Sequence, residues 1–285
     1  MLKSYTPLAL KKRMVKTGKA ILDGWHMLSE PLYWLYEKRL HREVTQSGLA
    51  LPKHIGMILD GNRRFAKQAG LGLDYGYDMG ASKAEEVLEW CLELGIHHVT
   101  MWIFSTENHK RSLEEKDTLF KLFKREAEKM LANPRLHENR VKVKLIGDIK
   151  DFPQDVQEAL MRLEEKTKDY DAMLLNIAVG YGGREEITYA VRHWLEHNLQ
   201  AGKSLEEVKN TLSPEVIERY LYTAGSPDPD FVIRTSGEIR LSGFLLWQSA
   251  YSEYYFCDVF WPSFRRLDFL RALRNFQARQ RRFGQ

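Results

Sequence analysis

The chain has 285 residues, enough for one large domain or two small ones; 44% are hydrophobic, 29% charged and 12% aromatic, with nine prolines, which excludes a disordered or collagen-like chain. Its two cysteines, Cys91 and Cys257, exclude a disulfide framework and a four-cysteine zinc site, so a cytoplasmic protein is expected. The formal net charge of +4 is unevenly placed: residues 1–50 hold nine Lys/Arg against four Asp/Glu, and Arg265, Arg266, Arg271, Arg274, Arg279, Arg281 and Arg282 face only Asp268, which suggests anions met locally and no nucleic-acid partner.

From the start to about residue 45 the chain reads as a basic amphipathic helix, with Ile21, Trp25, Leu28, Leu32, Leu35 and Tyr36 at roughly helical intervals. Such a helix either packs on the body or lies on a membrane surface, peripheral to the inner face of the cell membrane. No apolar run reaches the 18 residues that a membrane span needs, and the start lacks a signal-peptide pattern. Residues 1–50 are therefore expected to be an extension and 51–285 one catalytic domain.

After His54 short apolar runs alternate with longer helical patterns. Strands are expected at 54–59, 98–104, 141–146, 173–179, 231–234 and 254–257, and helices near 80–94, 113–132, 153–168, 184–200, 213–221 and 266–279. That alternation predicts an α/β fold whose mostly parallel sheet is covered on both faces, with ligands at the carboxyl ends of the strands.

The strand ends carry the polar residues. The first is followed by Asp60-Gly61-Asn62-Arg63-Arg64-Phe65, where a glycine, an asparagine and two arginines suit phosphate oxygens and Asp60 suits a hard cation. Taken alone it could equally be a surface turn. The second leads into Ser105-Thr106-Glu107-Asn108 and Arg111, and the fifth into Arg234 through Ser242. Gly180, Gly182 and Gly183 add a fourth loop that allows close backbone approach. Glu253 interrupts an aromatic stretch, and a carboxylate there needs a partner or a metal, which suggests a metal role beside Asp60. Other motifs fail: His193 to His197 matches an inverted zinc-protease pattern but lies in a helix far from the strand ends, and neither a phosphate-binding lysine loop nor a serine nucleophile elbow occurs. No Asp-Asp pair occurs, so the aspartate-rich motif of trans-type prenyl synthases is absent.

HIGMILDGNRRFAK, FSTENHKR, NIAVGYGGR, DPDFVIRTSGEIRLSGFLLWQSAYSE and a terminal RRFG occur in the order found in the cis-prenyltransferases, and the chain resembles that family from about Pro52 to Gly284. EPLYxLYExRL and YGYxMGA make it most similar to bacterial short-chain members that form Z-farnesyl diphosphate. The resemblance implies a homodimer with a six-stranded sheet over a hydrophobic tunnel. It also implies magnesium-dependent condensation of isopentenyl diphosphate with an allylic diphosphate, here geranyl diphosphate, giving a product of about three isoprene units; a medium or long-chain product is the alternative. By the same resemblance, Asp60 is a metal-binding and catalytic residue, and Gly61, Asn62, Arg63, Arg64 and Phe65 form the allylic diphosphate pocket. Ser105, Thr106, Glu107 and Arg111 contact substrate, and Asn108 stands where a proton acceptor has been proposed, although an amide is a poor base and released pyrophosphate a better one. Arg234, Arg240, Leu241 and Ser242 match the isopentenyl diphosphate site, Glu253 a second magnesium ligand, and Arg282 and Gly284 an R-x-G element that reaches the partner's active site. Ile103 matches the position that sets product length. The chain departs from the pattern at Leu73 and Tyr77, where an arginine and a histidine are usual, and at His109, in place of tryptophan. A non-catalytic partner subunit is the rival reading, and it would lack the metal aspartate and the anion loops that are present here.

Overall fold

The apolar runs form strands and the periodic segments fold over them as helices in a computed structural model that describes residues 33–279. The chain divides into two compact units, residues 1–49 and 50–285. In the first, residues 33–46 form helix α1, where Trp34 and Leu35 are exposed and the Lys38 ammonium lies 4.8 Å from the centre of the Trp34 ring. The rest of the expected amphipathic stripe, Ile21, Trp25, Leu28 and Leu32, lies outside the described residues, as do Arg282 and Gly284.

In the second unit β1 (His54–Ile58) is followed by α2 (Asn62–Ala69) and α3 (Leu73–Glu93), and β2 (His98–Ser105) by a 3₁₀ turn (Thr106–Lys110), α4 (Leu113–Ala132) and α5 (Pro134–Glu138). Next come β3 (Val141–Ile146), α6 (Gln154–Thr167), β4 (Met173–Tyr181), α7 (Gly183–Gln200), α8 (Leu205–Lys209) and α9 (Pro214–Glu218). β5 (Phe231–Arg234), β6 (Glu253–Phe256) and α10 (Arg266–Gln277) complete the unit. The six strands lie in the order β3-β4-β2-β1-β5-β6 and every neighbouring pair is parallel. All carboxyl ends therefore share one edge, and β1 sits at its centre between β2 and β5, where the strand order reverses and such sheets bind their ligands.

One element departs from the sequence expectation. The Asp60-to-Phe65 segment, expected as a cradle-like turn, becomes a helix from Asn62 onward. Gly61 makes the turn into it at φ 109°, a conformation in which a side chain is strained, and a Cβ there would stand 2.9 Å from the Phe260 ring.

The two faces of the sheet are packed differently. Ile146, Ala178, Val232, Phe244 and Leu245 form a solid core on one face. On the other, Met101, Leu175 and Ile177 alternate along their strands and face α3 and α4 across a cavity of about 950 Å³. Its α3 wall is a helical stripe, Tyr77, Ala81, Ala84, Leu88 and Leu92, and its α4 wall includes Leu119, Leu122, Phe123 and Met130. The volume stands at the upper end of the range for ligand pockets.

β1 enters the sheet through a buried relay that makes stability depend on pH. The His54 ring bonds the Pro227 carbonyl through Nδ1 (2.7 Å) and Thr100 Oγ1 through Nε2 (2.8 Å), and Asn176 Nδ2 donates to the same hydroxyl (3.1 Å). Burial dominates and lowers the imidazole from 6.5 to about 4. His54 is therefore neutral when folded, while the unfolded chain takes up its proton below pH 6.5, so stability falls as pH drops from 6.5 toward 4, by up to roughly 3 kcal/mol. Urea midpoints at pH 7 and pH 4.5 check this: a His54→Gln variant is expected to show a flatter profile, and equal slopes would remove His54 as the cause.

Candidate active site

Asp60, two residues beyond β1, is the centre of a carboxylate-arginine lattice at the carboxyl edge. Arg234, the last residue of β5, lies beside it because Ile58 and Arg234 are register partners. The Arg234 Nη2 donates to Asp60 Oδ2 at 2.9 Å, and Arg64, one turn into α2, reaches Asp60 Oδ1 at 3.1 Å. Partial burial works against ionisation of Asp60, but the Arg234 and Arg64 guanidiniums hold its carboxyl below the usual range. Arg234 is itself buried, and its Nη1 bonds both the Arg240 carbonyl and Ser242 Oγ. The Arg234 Nε remains buried with no partner, an unsatisfied donor at the cavity wall.

The loop after β5 is held in an unusual backbone. Ser236 and Ser242 adopt φ of 79° and 52°, and Ser236 Oγ accepts from Arg64 Nη2 at 2.6 Å. Glu238 pairs with both Arg64 (2.8 Å) and Arg240. Behind this loop, buried Glu186 fixes its descent: it accepts from Tyr181 Oη, the Tyr222 N–H and Gln248 Nε2, tying α7 to the segment that follows Ser242.

The structure brings together most of the expected residues. Asp60, Gly61, Asn62, Arg63, Arg64, Ser105, Asn108, Arg111, Arg234 and Ser242 all line the mouth of the cavity, and so do Leu73 and Tyr77. Phe65, Thr106, Glu107, Arg240 and Leu241 stand in the same segments without lining it. The Asn108 amide oxygen accepts the Ser105 N–H at 3.1 Å and closes the 3₁₀ turn, so its acceptor atom already serves the loop. His109 turns away from the mouth and packs edge-on against Phe104, with ring centres 5.1 Å apart.

One expectation is corrected. Glu253 does not stand beside Asp60 within one chain: it opens β6 in register with Phe231, at the amino end of the strands, and its carboxylate pairs with Arg279 at 2.6 Å. A parallel sheet puts both ends of a strand on opposite edges, so a residue that starts β6 lies roughly 10 Å below the catalytic edge. Tyr77, at the position where a histidine is usual, donates its hydroxyl proton to Glu115 at 2.6 Å. Ile103 is the extra residue of a bulge in the cavity wall, where the β2–β4 register slips between Trp102 and Phe104. It lines the cavity, which continues past it to Leu136, Val141 and Met173.

Sequence reasoning missed Lys67, Glu115 and Glu238. Lys67 follows Arg63 and Arg64 on the exposed side of α2 and lines the mouth. Glu115 follows Arg111 at the i,i+4 spacing of a helical ion pair, a signal hidden among the other acids of that turn.

Residues 58–284 match the family model of the undecaprenyl diphosphate synthases. The chain belongs to this family and is a cis-prenyltransferase. It is 60% identical over 257 residues to an isoprenyl transferase of Thermus thermophilus, covering 90% of this chain and 97% of that one. It is 44% identical over 279 residues to a tritrans,polycis-undecaprenyl-diphosphate synthase (geranylgeranyl-diphosphate specific) of Methanocaldococcus jannaschii, covering 96% and 98%. The crystal structure of lavandulyl diphosphate synthase from Lavandula x intermedia in complex with dimethylallyl diphosphate superposes with a TM-score of 0.75 at 30% identity, covering 85% of this chain and all of that one. The six-stranded parallel sheet with flanking helices is thus the fold of a cis-prenyltransferase.

Proposed function

We propose that the protein transfers the hydrocarbon group of an allylic diphosphate to isopentenyl diphosphate, releasing pyrophosphate and a proton, and repeats this to a product longer than three isoprene units. The observation that carries this is the junction of the arginine-lined mouth with a cavity that does not end at Ile103. From Ser105 to the level of Met173 the walls span eight residues of β2 and β4, about 25 Å of strand. A four-carbon repeat advances ~4 to 5 Å at ordinary bond lengths, so about five extended units fit, more than the three of the short-chain expectation. The medium or long-chain alternative is therefore preferred to the farnesyl product, and the name of the Methanocaldococcus relative supports it.

The roles follow from chemistry. Two substrates bring two diphosphates, which suits the guanidiniums of Arg63, Arg64 and Arg111 on one side of Asp60 and of Arg234 and Arg240 on the other. Asp60 fits a magnesium ion: among the described residues no group of three metal-ligating side chains exists, and magnesium is commonly held by one carboxylate together with substrate phosphates. Bound there, the ion would neutralise the departing pyrophosphate. Asp60 would hold the cation, which would release Arg64 and Arg234 to bind phosphate oxygens, and Ser105 and Ser242 complete the polar rim. The proton lost from the isopentenyl carbon goes to released pyrophosphate, since the acceptor oxygen of Asn108 is engaged by the loop.

A homodimer completed by Arg282 and Gly284, and membrane contact through the basic residues Lys38, Arg39 and Arg42 beside Trp34, belong to the same proposal. No helix among the described residues is long and apolar enough to cross a membrane. Transfer of labelled isopentenyl diphosphate to geranyl, farnesyl and geranylgeranyl diphosphate tests the reading. Incorporation is expected to vanish with a chelator and return with magnesium; incorporation that is indifferent to the chelator would refute the role of Asp60 as a metal ligand.

A further inference from the structure

Four segments meet behind the allylic side of the mouth at one carboxylate. Glu115, in the first turn of α4, is buried and does not line the cavity, whereas Tyr77 of α3, Arg63 of α2 and Arg111 of the loop after β2 all do. Its Oε1 accepts the Tyr77 hydroxyl at 2.6 Å and pairs with Arg111 Nη1 at 3.1 Å and Arg63 Nε at 3.5 Å. Arg111 Nη1 also donates to the Tyr77 oxygen at 3.1 Å, which closes a triangle of phenol, carboxylate and guanidinium. The Ser112 hydroxyl accepts the Glu115 N–H at 3.2 Å and anchors the acid at the helix start.

We propose that Glu115, braced by Tyr77, is the positioning residue of the allylic diphosphate site, fixing Arg111 and Arg63 so that their remaining N–H groups face the substrate; this rests on the cis-prenyl transfer reading above. A guanidinium carries five N–H donors. Glu115 engages Nη1 of one and Nε of the other, so most of the donors of each stay available for phosphate oxygens. Two cations and one carboxylate leave a net positive charge at the rim. The phenol suits the position because one atom both donates to the acid and accepts from the arginine. Burial above all, with the bond to Glu115, pushes its proton loss well above the ordinary tyrosine range, so it remains a donor at neutral pH. The opposite role, a counter-ion that competes with substrate for the arginines, does not suit an acid that sits behind the cavity lining.

Steady-state kinetics with labelled isopentenyl diphosphate separate the two roles. Glu115→Ala is expected to raise KM for the allylic diphosphate roughly tenfold while KM for isopentenyl diphosphate stays within about twofold, because the Asp60 and Arg234 lattice is untouched. Glu115→Gln, which can still accept from Tyr77, should recover part of that loss, and Tyr77→Phe should raise the same KM by roughly threefold. In the Glu115→Ala/Arg111→Ala double variant the allylic KM should rise by clearly less than the product of the two single effects, since Glu115 acts partly through Arg111 and partly through Arg63. A lower or unchanged allylic KM in folded Glu115→Ala, or full additivity in the double variant, overturns the proposal. Should the alanine variant fail to fold, Glu115→Gln and Tyr77→Phe decide it: unchanged KM in both, with thermal melts near the wild type, overturns it equally. Wild-type protein that transfers no isopentenyl unit to any starter refutes the function itself, a separate outcome.

Discussion

Asp60→Asn is expected to leave a folded protein whose turnover falls roughly 10³-fold or more, because the reaction's barrier lies in parting pyrophosphate from an allylic cation and the substitution removes the carboxylate proposed to hold the neutralising ion. Asparagine keeps one acceptor oxygen, which can serve the buried Arg234, now 2.9 Å from Oδ2, while Arg64, 3.1 Å from the other oxygen, keeps Ser236 and Glu238. Alanine would also leave the buried Arg234 short of its carboxylate and cost stability, which makes asparagine the cleaner test of chemistry. Single-turnover rates with circular dichroism of the same sample check it. A folded Asp60→Asn protein with near wild-type turnover would remove the aspartate from the mechanism.

The second large effect is on product length. Ala84 lies two helical turns beyond Tyr77 on the cavity-facing stripe of α3, about 10 Å deeper. A phenylalanine there projects into open space, and close-packed walls of Leu88, Leu119 and Leu122 give it little room to turn aside. Ala84→Phe is therefore expected to stop growth at about two or three units, whereas Ile103→Ala, at a bulge in the wall of a channel that already passes it, should change the distribution little. Chromatographic resolution of labelled products by length decides between them. An Ala84→Phe distribution equal to wild type, or a large lengthening in Ile103→Ala, would return length control to the bulge.

Much of the fold was legible because strand and helix periods differ. The runs at 141–146 and 231–234 became strands with the expected bounds, and β2 and β4 extended one and two residues beyond theirs. The strand-end rule located the catalytic edge, and the loops after β1, β2 and β5 met there as neighbours in the sheet. The misses have physical causes. α2 is polar on most sides, with Ala66 its buried residue, so no apolar stripe announced it. Glu253 looked costly inside an aromatic stretch; the expected strand at 254–257 already put it at the amino end, but its partner Arg279, which follows α10, comes from a segment that no local pattern places there. The bulge at Ile103 is a pairing irregularity between two strands distant in sequence, which no single strand encodes. Tyr77 read as a lost cation; its actual part, a link between Glu115 and Arg111, required three segments to be placed together.

One arginine-lined edge and the cavity beneath it are proposed to make this cis-prenyltransferase form a product longer than three isoprene units. Purified protein incubated with magnesium, labelled isopentenyl diphosphate and each allylic starter, with products resolved by length and double-bond geometry, tests it most directly. Z double bonds at every added unit and a main product longer than three units are expected; a single product of three units, E-configured additions or no incorporation from any starter would overturn the reading.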